Sequence, residues 1–348
     1  MNGLYLHGAH DVRYETLPDP KLTDPSQVLV RTIGCSICGT DLNYYKNHGQ
    51  TAHQCGFAIG HEAIGEVMEV GSAVRTLKAG DEVMVPGALG CGQCSACLRR
   101  DTLSCQNNDG IQCYGIGMGY AGLQAEAFVV PWADTNTLKI PDGISHDQAL
   151  MLTDVVATAW LGVHNAEVRP GDTVVVVGLG PIGLACVEIA LAFGASRVIG
   201  VGRSREDRMQ AARDMGAITA RTDEAIETIR DLTKGLMAQG VIETAGTEAA
   251  LLRAMDAARR NGTVSSIGAY SVPQFPFPML LALTRNITFR PALCSPMQFW
   301  DQSIPLVRDG VLHPERLITA HVSLSDGPGI YRQMADGASG VLKTVLRP

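Results

Sequence analysis

A buried strand that runs directly into a glycine-rich turn constrains the fold of this chain more than any other feature. The run Thr173–Val177 has the apolar composition of a buried strand. The sequence Gly-Leu-Gly-Pro-Ile-Gly follows directly, and a predicted helix begins within it at Pro181. Glycines in this G-x-G-x-x-G spacing let backbone amides approach a pyrophosphate at a helix N-terminus. The spacing alone is common, and a turn built only for close packing is the alternative. The strand and helix context favours a dinucleotide site at Gly178, Gly180, Pro181, Ile182 and Gly183.

The segments after this turn continue a parallel, doubly wound sheet. Further strands are predicted at Arg197–Val201, Gly240–Glu243 and Gly262–Ile267, with a helix at Glu248–Arg259. Strands that alternate with helices in this way are typical of an α/β fold with a parallel sheet.

The N-terminal half has a different sequence pattern. Short strand-like runs such as Val28–Ile33 and Ala63–Val70 alternate with Gly, Pro and Asp turns, which predicts a β-barrel. A chain of 348 residues exceeds what one core usually serves, so two domains are expected. We predict a catalytic domain over 1–150 that the chain re-enters at 291–348, and a dinucleotide-binding domain over 151–290.

Composition excludes several classes of function. The formal net charge of -7 offers no basic surface for nucleic acid or acidic membranes, so small molecules are the expected partners. The first residues lack the pattern of a secretory signal, which predicts a cytoplasmic protein without membrane contact. In that reducing compartment the 10 cysteines are expected to be metal ligands or buried thiols rather than disulfides.

Four of the cysteines are spaced for one metal ion. They follow the pattern C-x2-C-x2-C-x7-C in a glycine-rich loop, and four thiolates leave a tetrahedral zinc without an open position, as in structural sites. An iron-sulfur cluster and unliganded thiols are the alternatives. The predicted structural zinc ligands are Cys91, Cys94, Cys97 and Cys105.

A sparser set of residues offers a second zinc site. Cys38, the pair His61-Glu62 and Asp154 are each weak signals alone, since a buried Cys can be packing, a His can be a hydrogen-bonding core residue, and Asp154 can cap the following helix. Together they supply three ligand types and leave one coordination position open, which is what Lewis-acid catalysis requires.

At these residues the sequence resembles the zinc-containing alcohol dehydrogenases of the medium-chain dehydrogenase/reductase family. Cys38 with Thr40 two positions on, and Gly60 before His61-Glu62, match the catalytic-zinc motifs of that family. Asp154 stands where many relatives have Cys, and an acidic residue occurs there in some bacterial branches. The four-cysteine lobe is complete. The resemblance covers essentially the whole chain and implies a GroES-like barrel domain beside a Rossmann domain.

The resemblance also implies a mechanism. Two zinc ions per subunit are expected, and the one held by Cys38, His61 and Asp154 would bind the substrate oxygen while a nicotinamide exchanges hydride with the adjacent carbon. Glu62 either approaches this metal or is a charge beside it. Thr40 would relay the hydroxyl proton. Thr158 would pack by the nicotinamide, and Lys343 matches a basic cofactor contact.

One position departs from the family pattern. Many relatives carry a His five positions after the zinc Cys to complete the proton relay, whereas this chain has Asn43, which cannot accept a proton at working pH. The relay then ends at Thr40 and the cofactor ribose or uses another group. His48 and His53 lie nearby in sequence, and neither is assigned.

The end of the second dinucleotide strand predicts NADP(H) as the cofactor. NAD-selective proteins usually end that strand with an acidic residue on the adenosine ribose. Here Gly202 stands instead, and Arg203, Ser204 and Arg205 follow with groups suited to a 2'-phosphate. A solvated turn with local ion pairs to Glu206 and Asp207 is the alternative. Because cells keep much of this cofactor reduced, carbonyl reduction is the favoured direction.

The leading hypothesis is therefore a zinc-dependent, NADP-preferring dehydrogenase of an alcohol and its aldehyde or ketone. The alternatives are a zinc-free quinone or enone reductase of the same fold and a non-catalytic cofactor-binding protein. The family resemblance implies a homo-oligomer, with a tetramer favoured over a dimer. The substrate pocket cannot be read from the sequence, and its candidate lining residues could equally be core: Tyr120, Leu123, Trp132, Trp160 and Trp300.

Overall fold

The chain forms two compact units, and the backbone returns to the first unit after it has completed the second. The computed structural model describes residues 1–46, 56–117 and 119–348. One unit comprises Met1–Ala157 with Cys294–Pro348, and the other comprises Thr158–Leu293. In the described part of the chain, no helix is both long enough and apolar enough to span a bilayer.

The first unit is built mainly from strands. The elements of its N-terminal part are β1 (Asn2–Gly8), β2 (Asp11–Thr16), β3 (Val28–Ser36), α1 (Gly39–Tyr45), β4 (Phe57–Ala58), β5 (Glu62–Val70), β6 (Glu82–Val85), α2 (Ser95–Leu98), β7 (Cys113–Tyr114), β8 (Gly119–Tyr120), β9 (Ala127–Val130), α3 (Ala133–Asn136), β10 (Leu138–Lys139) and α4 (His146–Leu152). Helix α5 (Val155–Asn165) carries the chain into the second unit.

The second unit alternates strands and helices. Its elements are β11 (Thr173–Val177), α6 (Pro181–Ala192), β12 (Arg197–Gly202), α7 (Glu206–Asp214), β13 (Ile218–Arg221), α8 (Ala225–Leu232), β14 (Ala238–Glu243), α9 (Glu248–Ala257), β15 (Ala258–Ser266), α10 (Met279–Arg285) and β16 (Thr288–Pro291). The chain then completes the first unit with α11 (Trp300–Arg308), β17 (Ile318–Ser323), α12 (Gly327–Ala335) and β18 (Lys343–Arg347).

The largest sheet of the first unit joins the N-terminal strands to the C-terminal return. Its strand order is β10-β6-β5-β3-β18-β17, with β9 also paired to β3. Strand β18 lies antiparallel to β3, with Val345 opposite Ser36. The inward residues of these strands, among them Val30 and Val67, are fully buried in one apolar core. The predicted GroES-like barrel is confirmed.

The predicted boundary at residue 150 differs from the edge of the compact unit. Residues 151–157 belong to the barrel unit, because α4 packs on β3 and β5 and the indole Nε1 of Trp300 donates to the Leu152 carbonyl at 2.9 Å. Asp154, which the prediction put in the dinucleotide domain, therefore lies in the same unit as Cys38 and His61. The division 1–150 with 291–348 and 151–290 stays a prediction about functional domains.

The second unit contains the predicted Rossmann sheet. Its order is β13-β12-β11-β14-β15-β16, and every pair of neighbouring strands is parallel. All of β11 is buried, as expected of a central strand in a parallel sheet. The predicted strands are confirmed, as is the helix at Glu248, although α9 ends at Ala257 rather than at the predicted Arg259. Strand β15 begins at Ala258, earlier than its predicted start at Gly262.

The glycine-rich turn has the conformation that its sequence predicts. Gly178 has a φ of +101°, which disfavours other residues, and Gly180 caps α6, whose first residue is Pro181. A Cβ at position 183 would lie 1.9 Å from the Gly178 carbonyl oxygen, whereas a Cβ at position 180 would meet nothing within 4 Å. Gly183 is therefore required for packing, and Gly180 leaves open space at the helix N-terminus.

This contrast gives a matched pair of variants. Replacing Gly183 by Ala should lower the free energy of unfolding by roughly 2–3 kcal/mol, because the backbone has to move to admit the methyl group. Gly180→Ala should stay within about 1 kcal/mol of the wild type. Denaturant unfolding without added cofactor measures both. Equal losses in the two variants would contradict the packing role assigned to Gly183.

Candidate active site

The four cysteines of the loop lobe converge as the sequence predicts. Cys91 Sγ lies 3.9 Å from Cys97 Sγ, and Cys94 Sγ lies 4.0 Å from Cys105 Sγ. A tetrahedron with Zn–S bonds of about 2.3 Å has edges of about 3.8 Å, whereas a disulfide would need about 2.05 Å. All four sulfurs fall within 4.8 Å of one another. The lobe therefore fits one zinc ion with four thiolate ligands.

Backbone amides in the lobe favour the thiolate form. The amides of Cys97 and Gln106 donate to Cys94 Sγ at 3.5 and 3.4 Å. These hydrogen bonds lower the pKa of Cys94 to about 6. Since the thiolate is the form that binds metal, part of the ligand set is already stabilised in its binding state.

A buried asparagine fixes the lobe to the barrel. The amide of Asn136 donates to the carbonyls of Gly90 and Pro131 at 2.9 and 2.8 Å, and its oxygen accepts from the Gly90 amide at 2.9 Å. Asn136 has no exposed surface. This anchor leaves no spacing motif in the sequence, and the sequence analysis missed it.

The second ligand cluster is assembled by the ends of two neighbouring strands and by the short connection between two helices. Strands β3 and β5 are antiparallel, with Ser36 opposite Glu62, so Cys38 after β3 and His61 before β5 emerge at the same end. Asp154 lies between α4 and α5, in the same unit. One ligand atom from each of Cys38, His61, Glu62 and Asp154 lies within 4.8 Å of the others.

The donor atoms of this cluster suit a zinc ion with an open position. Cys38 Sγ is 3.5 Å and His61 Nε2 is 3.9 Å from Asp154 Oδ2. Glu62 Oε1 is buried without a hydrogen-bond partner, which leaves an oxygen lone pair for a cation or its ligands. Thiolate, imidazole and carboxylate are the ligand types of catalytic zinc, so the residues present fit the metal.

Each charged group at the cluster has a buried companion. Asp41 Oδ1 lies 3.1 Å from His61 Nδ1, and its Oδ2 accepts from the Cys38 amide at 2.9 Å. Glu62 is paired with Lys343 and accepts from the Ser36 hydroxyl. Burial raises the pKa of Glu62, but the charges of Lys343 and His61 and the hydrogen bonds to the carboxylate together lower it to about 2.

Lys343 has a different environment from the one the resemblance implies. Its side chain is 2 % exposed, and its Nζ donates to Glu62 and, at 3.1 Å, to the Ile37 carbonyl. In this structure Lys343 is the counter-ion of Glu62, beside the candidate metal ligands. Its role as a cofactor contact stays a prediction, as does that of Thr158, which is buried near the start of the second unit.

The proposed proton relay begins on α1. Thr40 is partly exposed on the first turn of this helix, and Asn43 lies three positions later, so the two share a helix face. His48 and His53, the other imidazoles near this segment, lie outside the described residues. Among the described residues of α1, Thr40 is the hydroxyl side chain closest in sequence to Cys38.

The turn after β12 contains the residues that the sequence analysis predicts to contact the cofactor phosphate, and that role stays a prediction. Gly202 is buried, and a Cβ there would lie 2.9 Å from Met209 Cγ, while Arg203 and Ser204 are exposed. Arg205 forms a two-point ion pair with Asp207, with bonds of 2.9 and 2.6 Å. The local ion pair considered as an alternative therefore exists for Arg205.

A further arginine beside this turn escaped the sequence analysis. Arg208 follows on the first turn of α7, and its Nε is buried without a hydrogen-bond partner. Burial, with the neighbouring Arg205, lowers the pKa of Arg208. A partly desolvated guanidinium of this kind is stabilised by an anion. The burial of its Nε, which the sequence does not reveal, distinguishes Arg208 from an ordinary exposed helix arginine.

The candidate pocket residues divide between core and partly exposed positions. Leu123 is fully buried in the barrel core, and the indole of Trp300 is hydrogen-bonded to the Leu152 carbonyl. Trp160 packs edge-on against Phe193 within the second unit. Tyr120 and Trp132 remain partly exposed.

A barrel unit with two metal-ligand clusters and a Rossmann unit with a glycine-rich turn define a zinc-type dehydrogenase. Comparison with known proteins agrees. Residues 24–142 match the model of the alcohol dehydrogenase GroES-like domain, and residues 181–309 match that of the zinc-binding dehydrogenases. The chain belongs to the zinc-binding alcohol dehydrogenases of the medium-chain dehydrogenase/reductase family, and is an oxidoreductase.

Individual relatives cover the whole chain. A probable zinc-binding alcohol dehydrogenase of Mycobacterium tuberculosis is 38% identical over 348 residues, covering 100% of this chain and 89% of the relative. The alcohol dehydrogenase TADH from Thermus sp. ATN1 has a TM-score of 0.91 and 32% identity, covering 100% of this chain and 99% of that one. A zinc-binding dehydrogenase from Sinorhizobium meliloti, solved bound to NADP, has a TM-score of 0.84 and 25% identity, with coverages of 100% and 99%.

Substitution of a single ligand should lower the thermal midpoint much more in the four-cysteine cluster than in the Cys38 cluster. Cys94→Ser should remove one zinc per chain and lower the thermal midpoint, since metal binding at a closed site stabilises the fold. Cys38→Ser should remove the other zinc with a much smaller change in midpoint. Atomic emission spectroscopy and thermal unfolding measure both. Wild-type protein without about two zinc ions per chain, or variants with identical effects, would contradict this assignment.

Proposed function

We propose that this protein is a zinc-dependent oxidoreductase that interconverts an alcohol and its aldehyde or ketone by hydride exchange with NADP(H). The observation that carries the proposal is the convergence of Cys38, His61 and Asp154, with Glu62 beside them, in a chain that also has a dinucleotide-type turn. When bound by these residues, zinc would supply a Lewis acid for the substrate oxygen. The four-cysteine site has no open position and would be structural.

The protein residues around the ligand set have distinct tasks. Asp41 orients the His61 ring so that Nε2 faces Cys38 and Asp154. The ammonium of Lys343 compensates the charge of Glu62, so this buried carboxylate has a counter-ion. Thr40 would carry the hydroxyl proton of the substrate away through its own hydroxyl. Glu62 Oε1, which has no hydrogen-bond partner among the described residues, would be the fourth protein group within reach of the metal.

The cofactor preference rests on the turn after β12. Gly202 removes the carboxylate that NAD-selective proteins use, and an acidic side chain at this position would require the flexible side chain of Met209 to shift. The exposed guanidinium of Arg203 and the hydroxyl of Ser204 suit a phosphate. Arg205 contributes only if it leaves Asp207, whereas Arg208 is a second candidate cation. The Sinorhizobium meliloti relative binds NADP, which supports the proposal.

A zinc-free quinone or enone reductase is the alternative function on this fold. Two complete ligand clusters among the described residues speak against it, because such an enzyme has no use for either. The reduced state of cellular NADP(H) favours carbonyl reduction as the physiological direction. The expected tetramer is tested separately by size-exclusion chromatography with light scattering.

Coenzyme kinetics test the cofactor proposal. The wild-type kcat/KM should be at least about tenfold higher with NADPH than with NADH for reduction of a carbonyl substrate, since a phosphate held by a cation contributes on the order of 1.4 kcal/mol or more. Arg203→Ala should reduce this ratio through the KM for NADPH and leave NADH kinetics nearly unchanged. The double variant Gly202→Asp with Arg203→Ala should shift the preference toward NAD(H). A wild-type preference for NADH would refute the proposal.

Substitution of the relay hydroxyl tests the proton path. Thr40→Ala should lower kcat for alcohol oxidation by about 100-fold, in the range of general acid–base contributions, whereas Thr40→Ser keeps the hydroxyl and should retain most activity. Asn43→His should change the pH dependence of alcohol oxidation if position 43 lies on the path. Steady-state kinetics across pH provide the measurement. Near-wild-type activity of Thr40→Ala would remove Thr40 from the mechanism.

A further inference from the structure

We propose that Gln124 and Tyr331 form a clamp that positions His61 for zinc by acting through Asp41. This inference rests on the proposed function, because it concerns the metal held by Cys38, His61 and Asp154. Gln124 follows β8 in the barrel, Tyr331 lies on α12 in the C-terminal return, and both side chains are almost wholly buried. Neither residue belongs to a ligand cluster.

The two residues form a continuous chain of contacts to the imidazole. The Tyr331 hydroxyl donates to Gln124 Oε1 at 2.8 Å, and Gln124 Nε2 donates to the Ser36 carbonyl at 3.0 Å and to Asp41 Oδ2 at 3.3 Å. Asp41 Oδ1 then lies 3.1 Å from His61 Nδ1. Every group in this chain is nine-tenths or more buried, so water does not compete for it.

The direction of these hydrogen bonds is fixed by chemistry. The Ser36 carbonyl can only accept, so the atom of Gln124 that faces it must be the amide nitrogen. Gln124 Oε1 therefore accepts from Tyr331, and the remaining N–H of Gln124 points at Asp41. Asp41 Oδ2 consequently accepts from both Gln124 and the Cys38 amide, and these two bonds fix the orientation of the carboxyl group.

The position of Gln124 also explains a glycine in the ligand motif. Gly60, which precedes His61, has a φ of +100°, and a Cβ there would lie 2.4 Å from Gln124 Cγ. The Leu123 amide donates to the Gly60 carbonyl at 2.9 Å, which holds the two segments together. The backbone leading into the zinc ligand is thus packed directly on the clamp.

The clamp matters because the contact between Asp41 and His61 is not aligned by itself. Although Asp41 Oδ1 and His61 Nδ1 are 3.1 Å apart, their orientation is outside good hydrogen-bond geometry, and neither atom has another hydrogen-bond partner in the described chain. Asp41, held through its Oδ2, keeps Oδ1 beside His61 Nδ1, so that His61 Nε2 faces Asp154 as the candidate metal-binding atom. Partners of this kind alter metal affinity by about 10- to 100-fold in zinc sites.

Three variants separate the clamp from ordinary packing. Gln124→Met fills a similar volume but removes both hydrogen-bonding groups, and Tyr331→Phe removes only the hydroxyl. Tyr114→Phe is the matched control, because its buried hydroxyl donates at 3.3 Å to the Val129 carbonyl, in the same barrel core and outside the chain to His61. The full-length zinc-loaded proteins are mixed with the chromogenic chelator 4-(2-pyridylazo)resorcinol, and the release of each zinc is timed. Visible spectra of the cobalt(II)-substituted proteins report the ligand geometry.

The clamp predicts a specific pattern. Gln124→Met should release the open-site zinc about tenfold faster than the wild type and shift its cobalt spectrum, with Tyr331→Phe changing both in the same direction by a smaller factor. The four-cysteine zinc should leave at the wild-type rate, and Tyr114→Phe should alter neither zinc whatever its thermal midpoint. If Gln124→Met does not fold, Tyr331→Phe decides.

Two results would overturn the inference. Wild-type zinc release and cobalt spectra in Gln124→Met and Tyr331→Phe would show that the clamp is packing alone, and would leave the proposed function intact. A wild-type protein that holds only the four-cysteine zinc would instead refute the proposed function, and the clamp with it. The number of zinc ions in the wild type therefore distinguishes the two failures.

Discussion

The antiparallel register between β3 and β5 is the constraint on which the active site depends. Ser36 lies opposite Glu62, and this pairing brings Cys38 and His61 out at one end of the sheet. Because side chains alternate along a strand, a slip of one residue would turn Glu62 away from Lys343 and separate the two ligands. The C-terminal strand β18 secures the other side of β3, so the last residues of the chain help to define a site whose ligands lie far earlier in sequence.

Buried charge explains why this region needs a cation. Asp41 and Glu62 are completely buried, Asp154 lies beside Cys38, and the ammonium of Lys343 already serves Glu62. Removing several anions from water is costly unless opposite charge accompanies them. A zinc ion among Cys38, His61 and Asp154 would supply that charge, and the four-cysteine lobe follows the same logic with amide donors as additional support.

The sequence predicted the parts of the structure that local chemistry controls. The glycine turn and the cysteine spacing each need particular residues at fixed intervals, and the structure confirms the fold around them. The roles of Gln124, Asn136 and Arg208 depend on which groups surround them once the chain is packed, so no spacing signals them. For the same reason the Arg205 pair with Asp207 and the burial of Lys343 against Glu62 appear only in three dimensions.

The zinc site proposed for the barrel unit has a carboxylate, that of Asp154, as its third protein ligand. X-ray diffraction recorded above and below the zinc absorption edge, on crystals of the purified wild-type protein, tests it most directly. Two anomalous peaks per chain are expected, one among the four lobe cysteines and one bounded by Cys38 Sγ, His61 Nε2 and the Asp154 carboxylate. A single peak in the lobe, or a second zinc that Asp154 does not touch, would contradict it.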